Sequence, residues 1–82
     1  MKILYFSWLR EKIGVPFEEV EVRSETVGEL IKELINKDHK YELAFEDINS
    51  IRVAVDQKII PDFNVSIKNA REVAFFPPMT GG

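Results

Sequence analysis

One stretch limits the folds open to this chain more than any other. Thr26, Val27, Gly28 and Glu29 form a capping-box pattern, in which a threonine hydroxyl and a glutamate three positions on satisfy orphan backbone donors at a helix start. Val27, Leu30, Ile31, Leu34 and Ile35 then recur at helical spacing as one apolar stripe. Glu29, Lys32, Glu33 and Lys37 face water, with Glu33 and Lys37 placed for a favourable i, i+4 pair. A helix with one stripe has one packing partner. The remaining apolar runs are short and β-like, so the helix is expected to lie across a sheet.

Those runs can be ordered along the chain. Lys2 to Trp8 reads as a first strand, with Ile3 and Tyr5 on one face and Leu4, Phe6 and Trp8 on the other. Gly14 and Pro16 punctuate a loop before a second strand, Phe17 to Val22, with Val20 and Val22 inward and Glu19 and Glu21 outward. The acidic run Glu18, Glu19 and Glu21 is expected to be a solvated face. After the helix, Asp38 to Asn49 carries mixed signals, with Tyr41, Leu43, Ala44 and Phe45 as a short helical turn closing the core edge, and His39 as a solvated helix-end residue. Ile51, Val53 and Val55 alternate with Arg52, Ala54 and Asp56 as a third strand. Asp56, Gln57 and Lys58 turn into a short Ile59 and Ile60 strand stopped by Pro61. Phe63, Val65 and Ile67 anchor an irregular connection, and Glu72 to Phe76 is the last strand. Hairpin, helix, two strands, loop and strand make an α+β domain of the β-grasp, or ubiquitin-like, kind: a mixed sheet of about five strands with one main helix across one face.

An 82-residue chain buries only roughly 60% of its unfolded surface, which leaves little room for an enclosed active site. The absence of cysteine removes disulfides, zinc–thiolate clusters and a thiol nucleophile, and a lone His39 cannot build a multi-histidine metal site. A net charge of −3 and a pI near 5.1 argue against nucleic acid as a partner. Neither an export signal nor a membrane span is evident, so a cytoplasmic protein with no membrane partner is expected.

What remains is a tail. Residues 1–76 read as the domain and 77–82 as an extension: Pro77, Pro78, Met79, Thr80, Gly81 and Gly82. Two prolines end the strand and continue as a stiff extended arm. Six residues reach roughly 20 Å at about 3.3 Å each, enough to enter a partner's cleft. Two glycines without Cβ can thread a narrow channel, which makes the carboxylate of Gly82 the candidate functional group.

Strand parity gives a second candidate site. If the helix covers Ile3, Tyr5, Val53, Val73 and Phe75, then Phe6, Ala54, Ala74 and Phe76 emerge on the opposite face, extended by Ile59. Phe6, Ile59, Ala74 and Phe76 are expected to form a partner interface.

Leu4, Tyr5 and Phe6 with Arg10, Glu11 and Gly14, and the closing run from Glu72 through Phe75, Phe76, Pro77, Pro78, Met79, Thr80, Gly81 and Gly82, resemble the sulfur-carrying small subunits of molybdopterin synthase. A bare Gly-Gly is common to ubiquitin-like carriers, whereas the Val-Ala-Phe-Phe-Pro-Pro approach is the specific part. The chain departs from that family's pattern at Asn69, Ala70 and Arg71, where an Asp-Gly-Asp-like turn is usual, and at Met79, where valine is more frequent.

The resemblance implies that Gly82 is adenylated by an ATP-using, ubiquitin-activating-like adenylyltransferase. The transient AMP adduct is then converted to a thiocarboxylate, and the tail, threaded through Pro77, Pro78, Met79, Thr80 and Gly81, delivers sulfur inside a large synthase subunit to a pyranopterin. No permanently bound cofactor is implied, and two small and two large subunits would form the synthase. A thiamine-pathway sulfur carrier, a ubiquitin-like protein modifier and a plain β-grasp binding module with an inert tail are the other readings.

Overall fold

A computed structural model describes residues 1–78. Its strands are β1 (Lys2–Tyr5), β2 (Phe17–Glu19), β3 (Arg52–Val55), β4 (Lys58–Ile59) and β5 (Glu72–Phe76), and they form one sheet in the order β2-β1-β5-β3-β4. β1 and β5 pair in parallel at the centre, and the other pairings are antiparallel. The β-grasp expectation is met.

The principal helix, α2 (Val27–Lys37), starts where the cap pattern places it, with Glu29 N donating to Thr26 Oγ1 at 3.2 Å. The glutamate returns its bond one residue further out, since Glu29 Oε2 accepts from Glu25 N at 2.9 Å. Two more of the helix's orphan donors go to the connection before β5: Val27 N to Val65 O and Gly28 N to Phe63 O, the latter at 2.9 Å. Gly28 allows that approach, because a Cβ there would lie 3.4 Å from Phe63 O. Val27, Leu30, Ile31 and Leu34 are buried against the sheet, and Ile35 packs at the margin. Each large apolar side chain buried in this way is worth about 1.5–3 kcal/mol.

Three local expectations are corrected, and a fourth, the helical turn after Asp38, is met except at Leu43. β1 stops at Tyr5 instead of Trp8, because Ser7 at φ 56° turns the chain into a short helix, α1 (Trp8–Ile13). Leu9 and Ile13, one turn apart, are its buried pair, and Gly14 at φ 98° closes it with its N–H on Arg10 O. β2 ends at Glu19, although Val20 still exchanges backbone hydrogen bonds with Met1 at 2.9 and 3.0 Å. Glu33 makes no ion pair with Lys37; its carboxylate instead accepts from Ser24 Oγ at 2.5 Å and Arg23 N at 3.3 Å, tying the segment before the helix to the helix flank. Finally, a third helix, α3 (His39–Ala44), buries Tyr41 and Ala44, with Phe45 just beyond, but leaves Leu43 exposed.

Asp56 and Gln57, at φ 48° and 71°, make the two-residue turn between β3 and β4, as a hairpin of this length requires. The Asn69–Arg71 turn needs no such conformation. Ala70 N donates to Ile67 O at 3.1 Å, and neither Asn69 nor Ala70 has a positive φ, so alanine is accommodated without strain. His39 is exposed, with Nδ1 3.1 Å from Glu42 at the start of α3.

Candidate functional site

The helix side of the sheet is filled by Ile3, Tyr5, Val53, Val73 and Phe75, each at most 1% exposed. The far side is open. Residues directly opposite on neighbouring strands share a face, and here the register draws one row across all five strands: Phe17, Leu4, Ala74, Ala54 and Ile59. Phe17 is 52% and Ile59 71% exposed, so the row is apolar and largely bare at both ends.

A second row lies towards the tail. Phe6 and Phe76 stand two residues beyond Leu4 and Ala74 on strands in parallel register, and Phe6 N donates to Phe75 O at 3.1 Å, which fixes the pair side by side. Phe6 is 47% exposed and Phe76 half-buried. Pro77 and Pro78 continue from this row, and together with Leu4, Phe6, Ala74 and Phe76 they line a groove of about 700 Å³. Of the interface residues expected from strand parity, Phe6, Ala74 and Phe76 thus line one groove beside the start of the tail, Ala74 only 8% exposed at its floor, while Ile59 lies on the same face at the edge of the sheet, outside that groove. Met79, Thr80, Gly81 and Gly82 lie outside the described residues.

Charge borders the apolar rows at both ends. Glu19, Lys2 and Glu72 form the next row away from the tail, joined by Asp56, whose N–H donates to Glu72 O. Arg52 pairs across from Phe76 at the tail end and is exposed. Lys2 also reaches over the Phe17 ring, 4.8 Å from its centroid, a geometry in which the ring face attracts the ammonium. An apolar centre with a polar rim is the anatomy of a protein–protein interface. Among the described residues no three His, Cys, Asp or Glu side chains converge in a way that could hold a metal ion. No described helix is long and apolar enough to cross a membrane.

Sequence reasoning left Phe17 out of this surface. The signal was available, since Phe17 has the parity of the outward Glu19. Glu18, read as part of a solvated acidic face, has the opposite parity and turns inward: its Oε2 accepts from Tyr5 Oη at 2.6 Å and from Tyr41 Oη at 2.5 Å. Burial, reinforced by the Glu18 carboxylate, pushes both phenols well above the ordinary tyrosine range, so they remain protonated donors.

A family model described as the ThiS family matches residues 3–82, a span that takes in both the open face and the Gly-Gly end. The chain belongs to the ThiS family. Two relatives support that membership over their full length: molybdopterin synthase sulfur carrier subunits of Haemophilus influenzae, 37% identical, and of Escherichia coli, 35% identical. Each alignment covers 100% of this chain and 99% of the relative. Among solved structures, a Pyrococcus furiosus protein described as a putative molybdopterin converting factor, subunit 1, superposes with a TM-score of 0.74 at 25% identity over 95% of each chain. SAMP1 from Haloferax volcanii shares the fold with a TM-score of 0.72 at 24% identity, over 100% of this chain and 98% of that one. The ThiS-family fold is thus matched from β1 to β5, and the family match extends through the tail.

Proposed function

We propose that this ThiS-family chain is the sulfur carrier of a molybdopterin synthase, loaded and unloaded at Gly82. The observation that carries the reading is the end-to-end identity of 35–37% with two molybdopterin synthase sulfur carrier subunits. The apolar groove ending at Pro77 and Pro78 supports it: a carrier must be gripped by its body while its end reaches another protein's active site.

A carboxylate is a poor electrophile, so the chemistry begins with activation. A Gly82 carboxylate oxygen attacks the α-phosphorus of ATP in a separate adenylyltransferase, and pyrophosphate leaves. A sulfide equivalent then attacks the acyl carbon and AMP departs with that oxygen, leaving a thiocarboxylate. In the large synthase subunit the sulfur is passed to a pyranopterin precursor, and water restores the carboxylate. Two such transfers supply a dithiolene. This chain contributes the docking face and the reactive end, while the large subunit supplies acid, base and substrate-binding groups. A complex of two small and two large subunits is the assembly proposed.

Intact mass spectrometry of the protein purified from its own cells tests the assignment. A population heavier by the exchange of one oxygen for one sulfur, absent from a variant lacking Gly82, is the expected result. A carrier whose terminus never gains sulfur, or a truncated chain that still supports conversion of the precursor, overturns it. Fusion of Gly82 to a lysine of another protein would instead favour a protein-modifying role.

A further inference from the structure

The strand register makes the open face complementary to itself. β1 and β5 run parallel and in step, so Lys2 lies beside Glu72, Leu4 beside Ala74 and, at the tail end, Phe6 beside Phe76. Phe17 flanks Leu4 on β2, and Ala54 flanks Ala74 on β3. These pairs join a cation with an anion, a large side chain with a small one, and a ring with a ring. A half-turn about a line running between β1 and β5, along the strands, lays one open face on another so that β1 crosses to β5 and β2 to β3. Lys2 then meets Glu72 of a second copy, Leu4 meets Ala74, Phe17 meets Ala54 and Phe6 meets Phe76, and each match occurs twice.

The relief of the face suits this arrangement. Ala74 and Ala54 are the floor of the groove of about 700 Å³, and Leu4 and Phe17 of a second copy come down on that floor, large side chain over small. The charges suit it too. Among the described residues Lys2 and Glu72 take part in no ion pair, so each is available to the other copy. The like-charged match, Glu19 with Asp56, falls at the rim, where Glu19 already lies 3.5 Å from the terminal ammonium of Met1 and Asp56 accepts from the N–H groups of Arg71 and Glu72 at 2.9 and 3.0 Å.

We propose that a second copy of this chain covers the open face, packed about that two-fold axis. With about 200 Å² for a fully exposed aromatic side chain, Phe6 and Phe17 offer roughly 100 Å² each, and the half-buried Leu4, Phe76, Pro77 and Pro78 bring the apolar area to about 400 Å² a copy. With Lys2 and Glu72 the pair buries about 1,000 Å² in total, at the lower limit for a specific interface. The dimer is therefore weak and reversible. It occupies the face that the carrier reading gives to the large synthase subunit, so the two associations exclude each other; that consequence alone rests on the carrier role proposed above.

Sedimentation velocity of the full chain, from about 10 μM to about 1 mM at low salt, is expected to show a monomer passing into a dimer with a midpoint on the order of 100 μM. Lys2→Glu and Glu72→Lys should each weaken self-association at least tenfold, because each sets like charges together at both ends of the two-fold. An equimolar mixture of the two variants should associate as tightly as the parent, since in the mixed pair every acidic side chain again meets a basic one. Phe17→Ser should weaken the dimer about tenfold. Ile59→Ser is the control: Ile59 is 71% exposed, but β4 falls outside the overlap, so a change of less than twofold is expected. Unaltered melting temperatures verify folding. A parent chain that stays monomeric at about 1 mM, a mixture no tighter than its components, or an Ile59→Ser loss equal to that of Phe17→Ser overturns the two-fold packing. Each of these leaves the carrier role standing, because that role is decided by the mass of the terminus. Large subunit titrated into the dimer should dissolve it, and a dimer fraction that stays constant while the large subunit binds overturns the shared face.

Discussion

The two faces of the sheet are built from alternating residues of the same strands, yet they have opposite fates. On β5, Val73 and Phe75 are sealed under α2 and α3, while Ala74 and Phe76 face outward beside β1 and β3. Phe75 contacts Tyr5 in a stacked geometry at 6.1 Å and Phe45 edge-on at 4.9 Å, so its ring is held by aromatic neighbours from other elements. Phe76 has Phe6 beside it and the groove above. Adjacent phenylalanines in one strand therefore divide the work: one holds the domain together, and the next lines the face proposed to meet another protein. The division depends on register alone, because a slip of one residue would exchange the two sets.

The largest expected effect breaks the buried side. Phe75→Ala should lower stability by about 3–5 kcal/mol, the cost of deleting a fully buried ring and leaving a cavity, read as a shift in denaturant midpoint. Phe76→Ala is the matched test on the other face. As an aromatic anchor it should cost about 2 kcal/mol of large-subunit binding, roughly a thirtyfold weaker complex by titration calorimetry, while stability changes by less than about 1 kcal/mol. A destabilised Phe76→Ala beside a stable, binding-deficient Phe75→Ala would show the partner against the wrong face. Smaller again is the expected change for Thr26→Ala. Loss of the hydroxyl that caps α2 should cost about 1 kcal/mol in thermal unfolding and leave binding on the open face untouched.

Both faces are legible in the amino-acid sequence because strand parity admits only two answers, and the buried set Ile3, Tyr5, Val53, Val73, Phe75 is self-consistent. α2 is legible because its stripe and its cap agree. α1 is not, since six residues hold only the Leu9–Ile13 pair and the apolar run of β1 leads straight into Trp8. The inward turn of the half-buried Glu18 is hidden for another reason: one of its donors, Tyr41, lies 23 residues away in a segment with no clear periodicity. Glu33 likewise takes Ser24, nine residues back, in place of the helical neighbour its spacing suggests. Local patterns state which groups want partners; where several are within reach, only the assembled chain decides among them.

An effect of the same small size at neutral pH comes from that Tyr5–Glu18–Tyr41 cluster, which belongs to the helix-covered face and so sharpens the contrast with the open one. One Glu18 oxygen accepts from both phenols, so Tyr41→Phe removes one of two donors and leaves the carboxylate satisfied by Tyr5. A loss of about 0.5–1.5 kcal/mol is expected near pH 7. The pH dependence is more distinctive. Each phenol has a folded-state pKa raised above its unfolded value near 10, first by burial and then by the Glu18 carboxylate. Above pH 10 the unfolded chain releases tyrosine protons that the folded chain retains. The folded state then binds more protons, and stability must fall as pH rises. Below pH 10 both states hold their protons, and the contribution is complete and flat. Melting curves between about pH 8 and pH 11 should therefore bend downward near 10, and Tyr41→Phe, with one such group fewer, should bend less steeply. An alkaline limb of equal slope in the variant and the parent would mean that Tyr41 titrates alike in both states, and that its hydroxyl is not held by Glu18 under the helix-covered face.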